Sequence, residues 1–485
     1  MGARTGADYI AGLRDAREVW LGGQRIGDVT EHPLLRPVIE ATAHLYDMQH
    51  QPAHRDLLTF ESEVVGERIG RAFQSPRTQA DLVVRREAIA LWMRESCGFL
   101  GRAPDFLNTL ILGMKEKSSY FGRQSPDRQA AIEGYYRYIA RKDLFLTHVF
   151  HEPQNDRAKR RSEQPDPAVP LRVIEQNTKG LIVSGAKIVA TAAPYADEVL
   201  IWPQVPNWGP GDESYALACA IPVASPGLKV FCRASFTRPG LTADYPISSR
   251  FDEIDSVLVF DRVLVPWDRV FLHNDLKLMS GMYAGIRVRE LTAHQTNVRL
   301  QVKLEFFYAL LVRMAESIGV ENMPAVMISL GEAATYVEII RAAVLAGEYS
   351  AKIDPENGVL YPDYSSLVVG RLMGPRFYPE FMQKIRRLGA SGLMQVPGSM
   401  AEFDSPIGGD LERIYRGARI SAREKVMLAR LAWDICGSEL GSRHALYEMY
   451  YAGDPDQIML RMHVENPRKA EQLEHFDRFF KHLGS

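Results

Sequence analysis

A change in hydrophobic period between residues 145 and 203 most constrains the fold of this chain. Before this stretch, apolar residues recur at helical spacing, as in the segment 86–100. Within it, two β-branched segments, residues 171–176 and 181–191, are separated by the turn-forming segment 177–180. This pattern predicts a β-hairpin. Polar side chains are concentrated where the period changes, so we expect a pocket there.

Further strand-like segments follow, and then the helical period returns. Residues 215–223, 228–232 and 256–265 are bounded by Pro, Gly or Asp and predict strands of a compact barrel or sandwich. After about residue 275, helical spacing predicts a long helix whose apolar positions are Leu300, Leu304, Phe307, Leu311, Met314 and Ile318. The same spacing predicts helices over residues 325–346, 364–388 and 421–451.

The order of these patterns predicts an α+β fold in which helical domains flank a β domain. We expect an N-terminal helical domain over residues 1–144, a central β domain over 145–272 and a C-terminal helical bundle over 273–453. Residues 454–485 form a charged, amphipathic tail that we expect to contact a neighbouring subunit.

Composition and charge narrow the range of functions that the chain could have. The chain has 485 residues, 46% of them hydrophobic, which is enough for a large core. Its net charge of −2 gives no reason to expect nucleic-acid binding. The cysteines are scattered and the chain does not begin with a leader-like segment, so we expect a cytoplasmic protein with reduced thiols. No apolar run reaches roughly 18 residues, so the sequence predicts no membrane span.

Common catalytic motifs are missing from the sequence. It contains no GxGxxG after a strand and no GxxxxGK[ST], which would indicate a nicotinamide or ATP site. It contains no GxSxG for a nucleophilic serine. The histidines form no HExxH and no paired spacing with cysteine, so the sequence predicts no metal site.

Several polar residues remain as candidates around the predicted pocket. They are Arg102, the pair Thr147 and His148, the segment 154–157, Thr191 and His294. Taken alone, each has an ordinary structural explanation, such as a capping arginine or a solvated histidine.

Five motifs together resemble a known family, the 4-hydroxyphenylacetate 3-monooxygenase and chlorophenol 4-monooxygenase family. They are GRAPDF, LTHVFHEPQNDR, IVSGAKIVATAAPYADE, YPISSRFDEIDSVLVFDRVLVPWDRVF and WDICGSELGSRHALYEMYYAG. These proteins are the oxygenase components of two-component, flavin-dependent phenol hydroxylases. The resemblance implies an acyl-CoA dehydrogenase-like fold, with an N-terminal helical domain, a central β-barrel and a C-terminal helical bundle, usually in a homotetramer.

The resemblance also implies a reaction. A separate NAD(P)H-dependent flavin reductase supplies reduced FAD, which reacts with O2 to form a C4a-hydroperoxyflavin. One oxygen atom is then transferred to the carbon ortho to a phenol hydroxyl. Such a protein needs no nicotinamide site of its own, which agrees with the missing motif.

Site residues follow from the resemblance position by position. Arg102 and His148 are expected to contact the phenol oxygen or the flavin peroxide. The residues expected to bind flavin are Thr147, Gln154, Asn155, Arg157, Thr191 and Ser438.

Two positions bear on the substrate. Phe106 stands where 4-hydroxyphenylacetate enzymes carry a tyrosine, so one donor to the phenol is missing. His294 resembles the base histidine of the halophenol branch. The substrate is therefore expected to be a 4-hydroxyphenylacetate-like phenol, a halophenol or a tyrosine-like phenol, either free or tethered to a carrier protein.

Other functions of the same fold stay open as alternatives. A 4-hydroxybutyryl-CoA dehydratase adds an iron–sulfur cluster that needs several cysteines near the pocket. Here Gly101 stands at the fourth position after Cys97, and Gln301 stands seven residues after His294, so Cys97 is the only cysteine among these positions. A dehydrogenase acting on a CoA ester needs a positioned carboxylate base, for which the sequence offers no assignable candidate. The non-enzymatic alternative is a flavin-fold scaffold without catalysis.

Overall fold

A computed structural model describes residues 2–153, 155–203 and 208–483 of the chain. Helical segments lie before and after a central group of strands. The predicted α+β fold class and its order of helices, strands and helices are therefore confirmed. The domain boundaries near residues 144, 272 and 453 stay predictions.

The N-terminal part of the chain is mainly helical. Its helices are α1 (Gly6–Gly12), α2 (Arg36–Met48), α3 (Arg55–Leu58), α4 (Gln79–Glu95), α5 (Pro104–Glu116), α6 (Ser119–Gly122) and α7 (Pro126–Lys142). It also contains short strands, namely β1 (Glu18–Leu21), β2 (Gln24–Ile26), β3 (Thr59–Ser62) and β4 (Glu67–Gly70).

These short strands were not predicted from the sequence. β1 pairs in parallel with the strand Leu228–Cys232 of the central part, with Glu18 opposite Lys229. β3 and β4 pair with each other. A strand of three or four residues is too short to show a period of two, and one partner of β1 also lies far away in sequence.

The central part forms two sheets. Its strands are β5 (Leu146–Val149), β6 (Arg172–Asn177), β7 (Gly180–Thr191), β8 (Glu198–Ile201), β9 (Leu217–Pro222), β10 (Leu228–Cys232), β11 (Asp255–Pro266) and β12 (Val270–His273), with the short helix α8 (Ser248–Phe251) before β11. One sheet has the strand order β2-β1-β10-β11-β7-β6 and the other β12-β9-β8-β5.

The two sheets do not close into a barrel. Within the described residues, one isolated bridge between His151 and Ile188 links them, and no ladder does. The strands therefore form two sheets, within the α+β class that was expected. The predicted hairpin is confirmed, since β6 and β7 pair antiparallel with Asn177 opposite Gly180.

The C-terminal part is a helical bundle. Its helices are α9 (Leu276–Gly285), α10 (Val288–Ile318), α11 (Pro324–Tyr349), α12 (Tyr364–Gly389), α13 (Gly408–Ile414), α14 (Ala422–Cys436), α15 (Glu439–Tyr450), α16 (Pro455–Val464) and α17 (Lys469–His482). The two-residue strands β13 (Lys352–Ile353) and β14 (Leu360–Tyr361) form a ribbon after α11.

The long helix α10 is the centre of the bundle and packs against α4, α11 and α12. Its predicted apolar stripe is buried from Leu300 to Met314, whereas Ile318 is exposed because the helix ends at Gly319 in a left-handed conformation. The helix predicted over residues 421–451 is two helices. They are separated at Gly437, and Ser438 caps the second.

None of the described helices is both long and apolar enough to span a lipid bilayer.

Candidate active site

The loop between α4 and α5 turns sharply against α10. The helix indicated by the apolar spacing over residues 86–100 ends earlier, at Glu95 of α4, and Cys97 and Gly98 adopt left-handed φ values of 50° and 72°. A Cβ atom on Gly98 would lie 2.7 Å from the Cβ of Lys303 in α10. The loop therefore approaches α10 as closely as a glycine allows.

The backbone after this turn is fixed from two sides. A Cβ atom on Gly101 would lie 2.7 Å from Cε1 of Tyr447 in α15, and nearer still to its hydroxyl oxygen. The hydroxyl of Tyr451 donates to the carbonyl of Gly101 at 2.7 Å. The main-chain N–H of Arg102 donates to Oε1 of Glu253 at 2.6 Å. The C-terminal end of α15 and the segment before β11 thus hold the loop between them.

The Arg102 guanidinium is a buried cation without a carboxylate partner among the described residues. The residue is 9% exposed, and its Nε and Nη1 atoms have no hydrogen-bond partner. Its Cζ atom lies 4.4 Å from the ring centroid of Phe106 and 4.4 Å from that of Tyr451. Burying an unpaired charge is costly, so this cation is suited to meet an anionic or strongly polar ligand atom.

His148 belongs to the same group of rings. Its imidazole lies 6.1 Å from the Phe106 ring and stacks on Phe150, with 4.9 Å between centroids. Burial, together with the positive charge of Arg102 and the proximity of His151, keeps the pKa of His148 well below its usual value. The imidazole is therefore neutral at neutral pH and offers one donor and one acceptor nitrogen.

Thr147 and Thr191 form a second polar group on β5 and β7. The Thr147 hydroxyl donates to the carbonyl of Thr191 at 2.6 Å, and the Thr191 hydroxyl donates to Asp255 at 2.7 Å. Arg443 donates to Asp255 at 2.8 and 3.0 Å, and Arg233 does so at 3.0 Å. Although burial raises the pKa of Asp255, these guanidiniums lower it below its ordinary value, so the carboxylate is ionised. The hydroxyls of Thr147 and Thr191 have both used their hydrogen atoms, so towards a ligand they can only accept hydrogen bonds.

Arg443 connects the two polar groups. Its Nη1 atom lies 3.5 Å from Oε2 of Glu253, whose other oxygen accepts the N–H of Arg102. One ion network therefore reaches the N-terminal loop, the central strands and α15.

The predicted flavin-binding residues after β5 lie away from these contacts. Asn155 and Arg157 are both exposed, in the loop that leads to β6. Gln154 lies outside the described residues. Their contribution stays a prediction.

Ser438 is used as a helix cap. Its hydroxyl donates to the carbonyl of Asp434 at 2.6 Å and accepts the N–H of Gly441 at 3.0 Å. These two bonds fix the start of α15, the helix that carries Arg443.

His294 is buried in α10 and pairs with a carboxylate. Its Nε2 lies 2.8 Å from Oε1 of Glu348, whose other oxygen accepts from Arg86, and its Nδ1 has no hydrogen-bond partner in the described part of the chain. Burial lowers the pKa of His294, and Glu348 acts in the opposite direction. In the part of the chain that the structure describes, no hydrogen bond or ring contact joins His294 to Arg102 or His148.

Four residues that hold the site were not singled out from the sequence. They are Glu253, which lies before β11, and Arg443, Tyr447 and Tyr451, which lie in or directly after α15. A charged residue on an otherwise buried helix face, as Arg443 is, was the available signal.

A small cavity of about 20 Å³ lies between α4 and α5. Its lining includes Arg85, Asp105 and Asn108, all of them buried. Asp105 accepts a hydrogen bond from Gln295 at 3.2 Å. Burial raises the pKa of Asp105 to about 6, although Gln295 and Arg85 act to lower it.

Among residues 2–153, 155–203 and 208–483, no group of three or more His, Cys, Asp or Glu side chains is arranged to hold a metal ion. Arg102 can bind a polar oxygen atom, and neutral His148 can accept or donate a hydrogen bond beside it.

Two family models together match nearly the whole chain. The N-terminal model of 4-hydroxyphenylacetate 3-hydroxylase matches residues 5–272, and the C-terminal model matches residues 279–481. The chain belongs to the 4-hydroxyphenylacetate 3-hydroxylase family.

Known members of this family resemble the chain over most of its length. The 4-hydroxyphenylacetate 3-monooxygenase oxygenase component of Thermus thermophilus is 39% identical, over 93% of this chain and 92% of that protein. A crystal structure of such an oxygenase component, complexed with FAD and 4-hydroxyphenylacetate, superimposes with a TM-score of 0.93, at 38% identity over 99% of this chain and 98% of that one. A Streptomyces globisporus monooxygenase named for a carrier-protein-bound 3-amino-3-(3-chloro-4-hydroxyphenyl)propanoyl group is 34% identical, over 94% of this chain and 86% of that protein.

The raised pKa of Asp105 predicts a pH-dependent stability. Because folding raises this pKa, the folded state binds the proton more tightly, and Asp105 destabilises the fold increasingly as pH rises from about 4 to 6. We expect Asp105→Asn to gain stability relative to the wild type over this range, by up to about 3 kcal/mol. The measurement is the difference in Tm between the two proteins at several pH values.

Asp410→Asn serves as the control, because the Asp410 side chain is 68% exposed. Its Tm difference from the wild type should change little with pH. A pH-independent difference for Asp105→Asn would show that this carboxyl group titrates normally.

Proposed function

We propose that this protein is the oxygenase component of a two-component, FADH2-dependent aromatic monooxygenase. It would insert one oxygen atom of O2 ortho to a phenol hydroxyl, with FADH2 supplied by a separate NAD(P)H-dependent flavin reductase. Family membership over nearly the whole chain supports an enzyme that hydroxylates phenols. The observation that carries the proposal is the buried Arg102 guanidinium, with free Nε and Nη1 atoms between two aromatic rings.

Arg102 would bind the substrate oxygen and favour its ionised form. A guanidinium in a site with few waters stabilises a phenolate more strongly than it would in bulk water. Ionisation makes the ortho carbon more electron-rich, which is what transfer of an electrophilic oxygen atom requires. The rings of Phe106 and Tyr451 exclude water from the cation.

His148 would complete the contact with the substrate oxygen. As a neutral imidazole it accepts a hydrogen bond from the phenol at one nitrogen, or donates one to the phenolate from the other. Its neutrality also avoids a second positive charge beside Arg102.

The residues present fit a reduced flavin. The ring system of a reduced flavin carries N–H donors beside its carbonyl oxygens. The hydroxyls of Thr147 and Thr191 already donate within the protein, so they are available as acceptors. The Arg102 donors suit an oxygen atom. When bound, reduced FAD supplies the electrons with which O2 is activated.

Residues of the loop after β5 would hold the outer part of the cofactor. Asn155 and Arg157 are exposed donors of the kind that binds phosphate oxygens, and Gln154 is proposed with them. Ser438 contributes least to this proposed set, because its hydroxyl is already bound at both ends as a helix cap.

Phe106 guides the proposed choice of substrate. It offers no hydroxyl to the phenol, so Arg102 and His148 alone would stabilise the phenolate. This favours acidic phenols such as halophenols over plain 4-hydroxyphenylacetate. A chlorinated, tyrosine-like phenol tethered to a carrier protein, as in the name of the Streptomyces relative, is also a candidate.

His294 is proposed as a base for the substrate hydroxyl. The support for this role is that Glu348 accepts at Nε2 and leaves Nδ1 without a partner, as in a base held by a carboxylate. Its lowered pKa keeps it unprotonated at neutral pH.

The first test of the proposed function removes the charge of Arg102. 4-Nitrophenol is a suitable probe, because its phenolate absorbs visible light and its ionisation can be read while it is bound. We expect the wild type to lower the pKa of bound 4-nitrophenol and Arg102→Met to abolish this shift. Hydroxylation by reduced FAD and O2 should fall by about 10²- to 10³-fold, because the group that stabilises the developing charge is lost.

Arg413→Met is the control for the loss of one arginine, because this side chain is 80% exposed. It should match the wild type in both measurements. If Arg102→Met binds the probe with an unchanged pKa and keeps its rate of hydroxylation, Arg102 is structural and the proposed chemistry fails.

A second test concerns His294. If it takes the substrate proton, His294→Ala should shift the pH profile of hydroxylation towards the ionisation of the free phenol. Glu348→Gln should shift the profile in the same direction by a smaller amount, since the imidazole stays but loses its carboxylate. A profile that does not move in either variant would exclude His294 as the base.

We also propose that the tail, residues 454–485, contacts a neighbouring subunit in a homotetramer. α17 has no buried side chain within the described chain, and Phe476, Phe479 and Phe480 are each more than half exposed. An apolar helix face of this kind is covered in most stable proteins.

The assembly can be tested by mass. We expect Phe476→Ser combined with Phe480→Ser to lower the mass of the oligomer in analytical ultracentrifugation, because the apolar contact is lost. Glu474→Gln, on the same helix, should leave the mass unchanged. An unaltered mass for the double variant, and for a chain ending at Gly453, would show that the tail is not an assembly contact.

A further inference from the structure

Tyr451 touches both the backbone and the side chain of the loop that carries Arg102. Its hydroxyl donates to the carbonyl of Gly101 at 2.7 Å. Its ring centroid lies 4.4 Å from the guanidinium carbon of Arg102. Phe106 is the other ring at this distance, and the Phe106 and Tyr451 centroids are 5.9 Å apart. Among the described residues the Arg102 guanidinium forms no hydrogen bond with a carboxylate, so these two rings are its nearest support.

The Tyr451 ring is itself held by a second arginine. The guanidinium carbon of Arg299 in α10 lies 4.2 Å from the Tyr451 centroid. Arg299 binds both oxygens of Glu448 at 2.7 and 2.6 Å and donates to the carbonyl of Gly98 at 3.1 Å. This arginine is thus immobilised and neutralised by an ion pair, which Arg102 is not.

Of the two arginines beside the Tyr451 ring, Arg299 is paired with a carboxylate and the Arg102 guanidinium is not. Burial opposes the ionisation of Glu448, but Arg299 and Lys303 lower its pKa to about 2. Glu448 is therefore a carboxylate at neutral pH and offsets the charge of Arg299. Burial raises the pKa of Tyr451 to about 12, although Arg299 and Arg102 act to lower it. The hydroxyl therefore stays protonated at neutral pH and remains a hydrogen-bond donor.

We propose that Tyr451 is a positioning residue that holds the Arg102 guanidinium in the orientation in which its free N–H groups meet the substrate oxygen. This inference rests on the proposed function of Arg102. The ring supplies a cation–π contact on the side chain, and the hydroxyl fixes the peptide group immediately before it. Tyr451 then acts on substrate ionisation through Arg102, without touching the substrate.

The test separates the ring from the hydroxyl. Tyr451→Phe keeps the cation–π contact and removes the bond to Gly101, whereas Tyr451→Leu removes both. The first measurement is the pKa of 4-nitrophenol bound to the flavin-free protein, which a residue with only a structural role would not change. The second is the rate of hydroxylation with reduced FAD and O2.

We expect Tyr451→Leu to move the pKa of the bound probe towards the value in Arg102→Met and to slow hydroxylation roughly tenfold. Tyr451→Phe should show a smaller change in the same direction. Tyr450→Leu is the matched control, since this neighbouring side chain is 53% exposed, and it should behave as the wild type. If Tyr451→Leu does not fold, Tyr451→Met replaces it, because methionine also lacks the ring and fills more of the space.

A double variant decides whether Tyr451 acts through Arg102. In the Arg102→Met background, Tyr451→Leu should cause no further change in the pKa of the bound probe. A further change would mean that Tyr451 contacts the phenol directly, and the positioning role would be wrong.

Failure of this inference and failure of the proposed function give different results. If Arg102→Met changes the pKa of the probe and Tyr451→Leu does not, only the role of Tyr451 is overturned. If neither variant changes it, Arg102 does not bind the phenol oxygen, and the function proposed above fails with it.

Discussion

The ion network of Arg443 is the interaction on which the rest of the site depends. This residue binds Asp255 by two hydrogen bonds and lies 3.5 Å from Glu253. Asp255 holds Thr191, and Glu253 holds the main chain of Arg102. Removing one member of a buried ion pair leaves an uncompensated charge, at a cost of about 3–5 kcal/mol. Stability and the relative placement of the two polar groups are therefore set by the same side chain.

The buried arginines serve different purposes according to their partners. Arg443 and Arg299 are each bound by carboxylates at hydrogen-bonding distance, and they hold helices and strands together. The Arg102 guanidinium lies against aromatic rings, and among the described residues it forms no hydrogen bond with a carboxylate, whereas its main-chain N–H is bound by Glu253. An aromatic ring supports a cation without competing for its N–H groups, which is why rings rather than carboxylates suit an arginine that must bind a ligand.

Local patterns in the sequence predict most helices and strands. They do not predict contacts between residues that lie far apart in the chain. The apolar stripe from Leu300 to Met314 and the hairpin with Asn177 opposite Gly180 are local and were predicted correctly. The family resemblance also singled out Arg102 and His148, which lie in the same group of rings, and their roles stay predictions. The contact between Tyr451 and Gly101 spans 350 residues, so no periodicity could reveal it. β1 was missed for the same reason, because its partner strand lies in the central part.

The close approach of Gly101 to Tyr447 limits how this site could change in evolution. An iron–sulfur cluster in the same loop would need a cysteine near Cys97, and position 101 is where the sequence lacks it. A Cβ atom at position 101 would lie only 2.7 Å from Cε1 of Tyr447, so any side chain there would overlap the edge of this ring. Gaining that ligand would therefore require the Tyr447 ring in α15 to move or to be replaced. The packing of one tyrosine thus adds a rearrangement of α15 to the change at position 101.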